Sequence, residues 1–407
     1  MTAMWVYSIY TLIDGFFVAR FVSEKALAAV NISLPFISFL LAFAMLFAIG
    51  TQTVISGLIG LSNYKKANSI FTFVIVSIAI MMVIISIVLK LNIDSLVSFI
   101  SNNKSLYPLS KQYLGIILDF APFFVIAYIL EVIVKVDSFP KMAMIVEMVS
   151  ASTNIILDYV FVARLSMGIG GAAIATGFSQ FIGTLIYIIH FLRKRGNLKF
   201  VKLTNHISVY PRVILLGFGD FLTELSTGIM VFLYNYFLSY KIGIHAIVIF
   251  TIINYFSLIT TVTMQGISQG IQPLVSFYYA KKDSTYRKML SYAKRSSIFM
   301  SVLFFVLVNI FAKDILSIFL NSSVALEDIR SFRLYSTSFL VVGFNLLNIG
   351  FLAAIRRSKL SIFISLLRSL IVISIVLFIM PTRWIFLSSF VSELITLLIS
   401  LLILKRN

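Results

Sequence analysis

The sequence predicts an all-α integral membrane protein of twelve spans. Two observations carry that fold class. Of the 407 residues 60% are hydrophobic and only 12% are charged, and the apolar residues gather into runs about as long as a bilayer is thick, roughly 20 residues each. Soluble domains carry about 25% charged residues, so this chain has too few polar side chains to cover a solvated surface. Its mean hydropathy of +1.03 agrees. The formal charge of +18 would suit a nucleic-acid binder. The Lys and Arg residues fall between the apolar runs, however, which is how cytoplasmic loops are marked, and no nucleic-acid partner is expected. The absence of cysteine excludes disulfides, thiolate metal sites and thiol catalysis. Met1 leads into an apolar stretch with no basic segment before it, so no cleavable signal peptide is read.

In chain order the expected spans are 1–20, 27–60, 69–91, 112–134, 142–163, 168–192, 211–239, 244–275, 296–312, 333–355, 360–381 and 384–404. Helices are the expected state because a helix satisfies its own backbone hydrogen bonds in lipid. The runs 27–60 and 244–275 exceed one bilayer thickness and are expected to tilt or protrude. The second run leads into Lys65-Lys66, the fourth into Lys135 and Lys141, and the sixth into the longest basic linker, Arg193–Arg212. The eighth leads into Lys281-Lys282, the tenth into Arg356-Arg357 and Lys359, and the last into Lys405-Arg406. With the N-terminus inside, all of these lie on one face, and the opposite loops carry Glu24, Asp94, Asp314, Glu327 and Asp328. The positive-inside rule then places both termini in the cytoplasm of a multi-pass protein of the bacterial cytoplasmic membrane.

The two halves echo each other. Gly50 precedes Lys65-Lys66 by the same spacing as Gly266 precedes Lys281-Lys282, and Lys141 has its counterpart in Lys359. Six spans per half is an even number, so the repeats run parallel across the membrane, a transporter architecture. The expected organisation is an N-terminal six-helix lobe at 1–192, a basic cytoplasmic linker at 193–211 and a C-terminal six-helix lobe at 212–407.

Acids inside the spans are the best clue to function, because a charge in hydrocarbon costs at least ~2.5–3.5 kcal/mol and marks a functional site by default. Asp14, Asp119, Glu131, Glu147, Asp158, Asp220, Glu224 and Glu393 lie in or at the ends of spans. Glu131 has Lys135 four residues on, the spacing of a helix ion pair, and Asp220 and Glu224 share one face of the seventh helix. Depth separates the rest. Asp14 lies six residues before Arg20 and Asp158 six before Arg164, so both sit ~9 Å below the outer boundary. Asn154 is one turn deeper than Asp158 on the same face. The next helix descends from Gly168 and brings Thr176 to ~12 Å. Four oxygen-bearing side chains thus reach one level in the first repeat. Hard cations such as Na+ take carboxylate, amide, hydroxyl and carbonyl oxygens, and two carboxylates in one site can instead share a proton. The bland alternative is that Asn154 and Asp158 bond neighbouring helices as glue.

Other chemistry is not read. Gly170-Gly171-Ala172-Ala173-Ile174-Ala175-Thr176 supplies small residues for close helix packing, and no Walker motif is present to hold ATP. His190, His206 and His245 fall at helix ends or loops and suggest no metal cluster. No nucleophile–base set is apparent, so no enzyme activity and no cofactor are expected.

These residues resemble a known family. Asp14 followed by Phe17-Val18, Ala26-Leu27-Ala28-Ala29-Val30 and Pro35 is similar to the first helix and loop of multidrug and toxic compound extrusion transporters. Asn154 to Asp158 and Gly168 to Thr176 resemble their fifth and sixth helices, and Gly266-Ile267-Ser268-Gln269-Gly270-Ile271-Gln272-Pro273 their eighth. The resemblance covers nearly the whole chain in register. It implies two six-helix bundles in a V, alternating access, and efflux of organic, often cationic, compounds against inward Na+ or H+. It implies that Asp14, Asn154, Asp158 and Thr176 are side-chain ligands of the coupling cation, Na+ if a metal ion, with Ala172 as a backbone ligand. Glu224, Gln180 and Gln269 are implied as possible substrate or secondary coupling residues. A monomer is expected. One departure stands out: members usually carry more chain before the first-helix aspartate, often with a helix-bending proline, whereas thirteen residues without proline precede Asp14. Two rival readings are a lipid-linked precursor flippase of the same superfamily and a non-transporting scaffold or receptor. The flippase calls for a cationic cavity, and Arg368 is the single deep base within a span.

Overall fold

The computed structural model describes residues 2–100, 103–193, 196–281, 283–320, 323–355 and 357–405, apart from the side chains of a few, Gln269 among them. Lys194, Arg195, Lys282, Arg356 and Arg406 of the expected basic loops lie outside the described residues. Among the described residues the chain is helical and contains no strand. The helices are α1 (Thr2–Phe17), α2 (Glu24–Gly60), α3 (Tyr64–Leu91), α4 (Ile93–Ile100), α5 (Tyr107–Val136), α6 (Pro140–Asp158) and α7 (Gly168–Leu192). After the linker come α8 (Tyr210–Lys241), α9 (Ile244–Ala280), α10 (Thr285–Phe319), α11 (Leu326–Ser336), α12 (Phe339–Ala354), α13 (Ser358–Leu366), α14 (Ile373–Ile379) and α15 (Ser388–Lys405). Three π-helical turns interrupt this series: Val18–Val22 continues α1, Tyr159–Arg164 continues α6, and Leu367–Val372 joins α13 to α14.

Eleven described stretches are long and apolar enough to cross a membrane; the first expected span, 1–20, falls on α1 and its π turn, which are not among the eleven. The ninth of these stretches, which is the tenth expected span, begins at Leu326, earlier than the sequence suggests, because the polar helix α11 runs into α12 through a turn at Thr337-Ser338. Likewise α10 starts at Thr285 rather than near 296. Its first turns carry Arg287, Lys288, Lys294 and Arg295, which hide the helix from a hydropathy reading. Local chemistry sets the ends. Ser23 Oγ accepts from Ala26 N–H at the start of α2, and Asn63 Oδ1 from Lys66 N–H at the start of α3, the bonds that satisfy otherwise orphaned amides. Proline opens α5 and α6, where its missing N–H costs nothing.

The described residues pack into two compact units. One holds Ile13–Gly228 and the other holds Ala3–Leu12 with Ile229–Asn407. In the first, α5 packs against α2 and α7. Lipid offers helices little hydrophobic incentive to associate, so close backbone approach through small residues matters. Two glycines show it most sharply: a β-carbon at Gly50 of α2 would lie 2.0 Å from the Val213 carbonyl oxygen of α8, and one at Gly217 of α8 would lie 2.0 Å from the Leu46 carbonyl oxygen of α2. In the second unit α9, α10 and α12 pack together around Met264, Val342 and Leu346.

The linker is strapped to the first unit by side chains. Asp137, buried at the end of α5, accepts from Asn197 N–H (2.7 Å) and Leu198 N–H (2.9 Å). Asn68 Oδ1 accepts from Lys199 N–H at 2.8 Å and Thr72 Oγ1 from Val201 N–H at 3.0 Å. Bonds to a charged acceptor are worth about 1.5–3 kcal/mol each. Asp137→Ala is therefore expected to expose the linker to trypsin in inverted vesicles, while Asp137→Asn, which keeps an accepting oxygen, leaves it as protected as wild type.

Candidate functional site

The intramembrane acids divide by partner. Glu131 pairs with Lys135 at 2.6 Å, as its spacing predicts. Asp119 pairs with Lys90 of α3, and Glu393 with Arg368 at 2.7 Å; both are contacts between distant parts of the chain. Among the described residues Asp14 and Asp158 have no basic partner. Instead their carboxyl groups stand in direct electrostatic contact with each other.

The surroundings of this pair are built from three elements of the first unit. Asp14 stands on α1, one turn before the π turn Val18–Val22, and Asp158 is the last residue of α6, immediately before the π turn Tyr159–Arg164. The two π turns pack against each other, and both pack against α7. Single π turns within α-helices recur at functional sites. Asp158 and Asn154 are fully buried, and Asp14 is 9% exposed. Asn154 Nδ2 donates to Thr176 Oγ1 of α7 at 3.4 Å, a long and therefore weak bond. Ala172, one turn before Thr176, is fully buried.

What the cluster lacks defines its chemistry. Asp14 Oδ1, Asn154 Oδ1 and both oxygens of Asp158 are buried acceptors that receive no hydrogen bond. Buried acceptors left this way are rare and costly. A site in which these oxygens gather without a base among the described residues is complementary to a small cation or to a proton shared between the carboxyls. Among the described residues no three His, Asp or Glu side chains gather as a multivalent metal would need.

The remaining sequence-derived candidates fall elsewhere or apart. Gln180 lies on α7 one turn beyond Thr176, half-buried, with its carbonyl accepting from Thr184 Oγ1 at 2.9 Å. Glu224 lies on α8 and stands near the Tyr128 hydroxyl, with Asp220 and Glu131 in the same neighbourhood. The side chain of Gln269 lies outside the described residues. Sequence reasoning saw Arg368 and Glu393 separately and missed their pairing. The signal was there: the one deep base and an acid sit on consecutive spans.

Comparison with known proteins fits this geometry. The MatE family's profile matches residues 1–160 and 221–379. The chain is 25% identical over 378 residues to the multidrug export protein MepA of Staphylococcus saprophyticus, covering 91% of this chain and 83% of that protein. It is 26% identical over 347 residues to MepA of Staphylococcus haemolyticus, covering 82% and 76%. An inward-facing multidrug resistance MATE family transporter of the MOP superfamily superposes with a TM-score of 0.89 at 19% identity, covering 100% of this chain and 95% of the other. The outward-facing conformation of such a transporter gives 0.79 at 19% identity, covering 100% and 93%. With a profile match spanning most of its length and a helical membrane fold, the chain belongs to the MatE family of membrane transporters.

Proposed function

We propose that the chain is a secondary multidrug efflux transporter that moves organic, often cationic, compounds outward in exchange for inward Na+ or H+. The observation that carries this reading is the buried Asp14/Asp158 pair, whose carboxyls face each other with no base beside them among the described residues, and which leaves Asp14 Oδ1 and both Asp158 oxygens without a donor. The names of the matched relatives, multidrug export proteins, support the substrate class. Asp14, Asn154, Asp158 and Thr176 would hold the coupling ion, with the Ala172 carbonyl as a further ligand. From outside, the ion loads this site and stabilises a state with poorer drug contacts, so the drug leaves outward. Only differential binding of the ion to two states can couple the fluxes. Each positive charge moving inward down 100 mV gains about 2.3 kcal/mol, enough for about fiftyfold accumulation of a neutral compound; a singly charged drug leaving in one-for-one exchange costs the same amount, so its export draws on the concentration gradient of the ion. The working unit is a monomer of two six-helix lobes, 1–192 and 212–407, in the bacterial cytoplasmic membrane with both termini in the cytoplasm. Gln180, Glu224 and Gln269 are substrate-side candidates.

The test is efflux of a fluorescent cationic dye by inverted membrane vesicles, with Na+ and pH gradients imposed separately. Dye movement driven by one gradient and collapsed by its ionophore is the expected result. Lipid translocation without dye movement would replace this reading with the flippase. Against the flippase stands the state of Arg368, whose charge is already matched by Glu393 at 2.7 Å and so is not displayed for a pyrophosphate headgroup.

A further inference from the structure

The second unit carries its own buried polar cluster, two of whose elements correspond to those of the ion site. In the first half, the fifth and sixth spans bring Asp158, beside a π turn, and Thr176. In the second half the fifth span is α13, its π turn and α14, and the sixth is α15. Arg368 lies in that π turn and Glu393 lies on α15. Arg368 Nε donates to Glu393 Oε1 at 2.7 Å. Asn345 Nδ2 of α12 donates to Glu393 Oε2 at 2.7 Å and to the Glu393 carbonyl at 2.8 Å. Asn345 is fully buried and Glu393 is 7% exposed.

The two clusters differ in one respect. The first is a set of acceptors without a positive charge. The second has a carboxylate whose two oxygens each receive a donor, one of them from a guanidinium on the same chain. An ammonium or guanidinium held covalently does for a buried carboxylate what a bound cation would do, without an equilibrium with solution. We propose that Arg368 is a tethered cation that permanently fills the second unit's counterpart of the ion site, so that this unit has no ion-loading step and coupling charge passes through the first unit alone. The proposal rests on the coupling role assigned to Asp158. It implies a latent cation site. With the guanidinium gone, Glu393 Oε1 and Asn345 Oδ1, already a buried acceptor without a donor, would face a space that fits a small cation.

The experiment is thermal unfolding of detergent-solubilised protein in a D158N background, titrated with NaCl against choline chloride and with methylguanidinium chloride at millimolar concentrations. D158N with Arg368 intact is expected to show no saturable shift. D158N/R368A is expected to unfold several degrees lower and to regain most of that loss with methylguanidinium or Na+. The rescue should vanish in D158N/R368A/E393Q. A saturable shift in D158N alone, or absence of rescue in D158N/R368A, overturns the proposal. Should Arg368→Ala yield no folded protein, the neutral pair R368M/E393Q, otherwise wild type, carries the test. An unchanged ratio of ions to dye transported is expected of it, and a changed ratio refutes the tethered-cation role. Failure of the underlying reading is seen separately: D158N vesicles that extrude dye as fast as wild type under both the Na+ and the pH gradient would refute coupling at Asp158 and leave the Arg368 comparison readable.

Discussion

Asp158→Asn is expected to abolish gradient-driven dye efflux while leaving the protein folded and inserted. The argument is one of shape against charge. Asparagine has nearly the outline of aspartate, and Asp158 is fully buried, so the packing of α6 against α7 is preserved. A lone buried carboxylate is costly, by several kcal/mol even after relaxation, and its neutral replacement removes that cost. Stability without ion should therefore hold or rise. What is lost is half of the negative charge that the Asp14/Asp158 pair offers. For a sodium-coupled protein, Na+ at 100 times its dissociation constant stabilises the folded state by about 2.7 kcal/mol. That shift should be present in wild type and absent in D158N. For a proton-coupled protein the Na+ shift is absent from both, and the pH-gradient-driven flux is the readout that falls. D158N vesicles that extrude dye as fast as wild type under either gradient would leave this carboxylate without a role in coupling.

The second large effect is structural. Gly217→Val should deplete folded transporter from the membrane, and Gly50→Val should do the same from the facing helix. A β-carbon at either position would stand 2.0 Å from a backbone carbonyl oxygen of the opposite helix. Backbone cannot swing aside as a side chain can, so α2 and α8 would have to separate along that crossing. Overpacking within a core costs about 1–3 kcal/mol when side chains can adjust, and here the obstacle is main chain on both sides. Gly57→Val is the control, because nothing lies within 4 Å of a β-carbon there. Membrane abundance and thermal stability of the three variants decide the matter. Wild-type levels of monodisperse Gly217→Val would show that the α2–α8 approach is not required.

Much of this was legible in the sequence because lipid is an exacting solvent. Apolar runs of bilayer length leave few alternatives to helices. Asp14 and Asp158 were legible for the same reason: an acid in a span is conspicuous, and counting from Arg20 and Arg164 places the two at one depth. Pairings between distant helices were not legible. Asp119 has no base nearby in sequence, and its partner Lys90 lies on another helix. The match between Arg368 and Glu393 needs the packing of two spans to be known. The π turns were invisible because their residues differ in no systematic way from those of an ordinary apolar helix. The polar starts of α10 and α11 were missed because charged residues at a helix end remain helical while failing any test of hydropathy.

The π turns after Asp14 and Asp158 also bear on how a helix can move without breaking. A π turn accommodates one residue more than the α-helical path it replaces. It is a length of slack held within a hydrogen-bonded rod. If that residue is drawn into regular α geometry, everything beyond it turns by about 100° and advances about 1.5 Å along the axis, with no backbone amide abandoned to lipid. Two such reserves meet at Val18–Val22 and Tyr159–Arg164, directly beyond the two carboxylates. The segments beyond the two carboxylates therefore have a rotary degree of freedom that α1 and α6 before them lack.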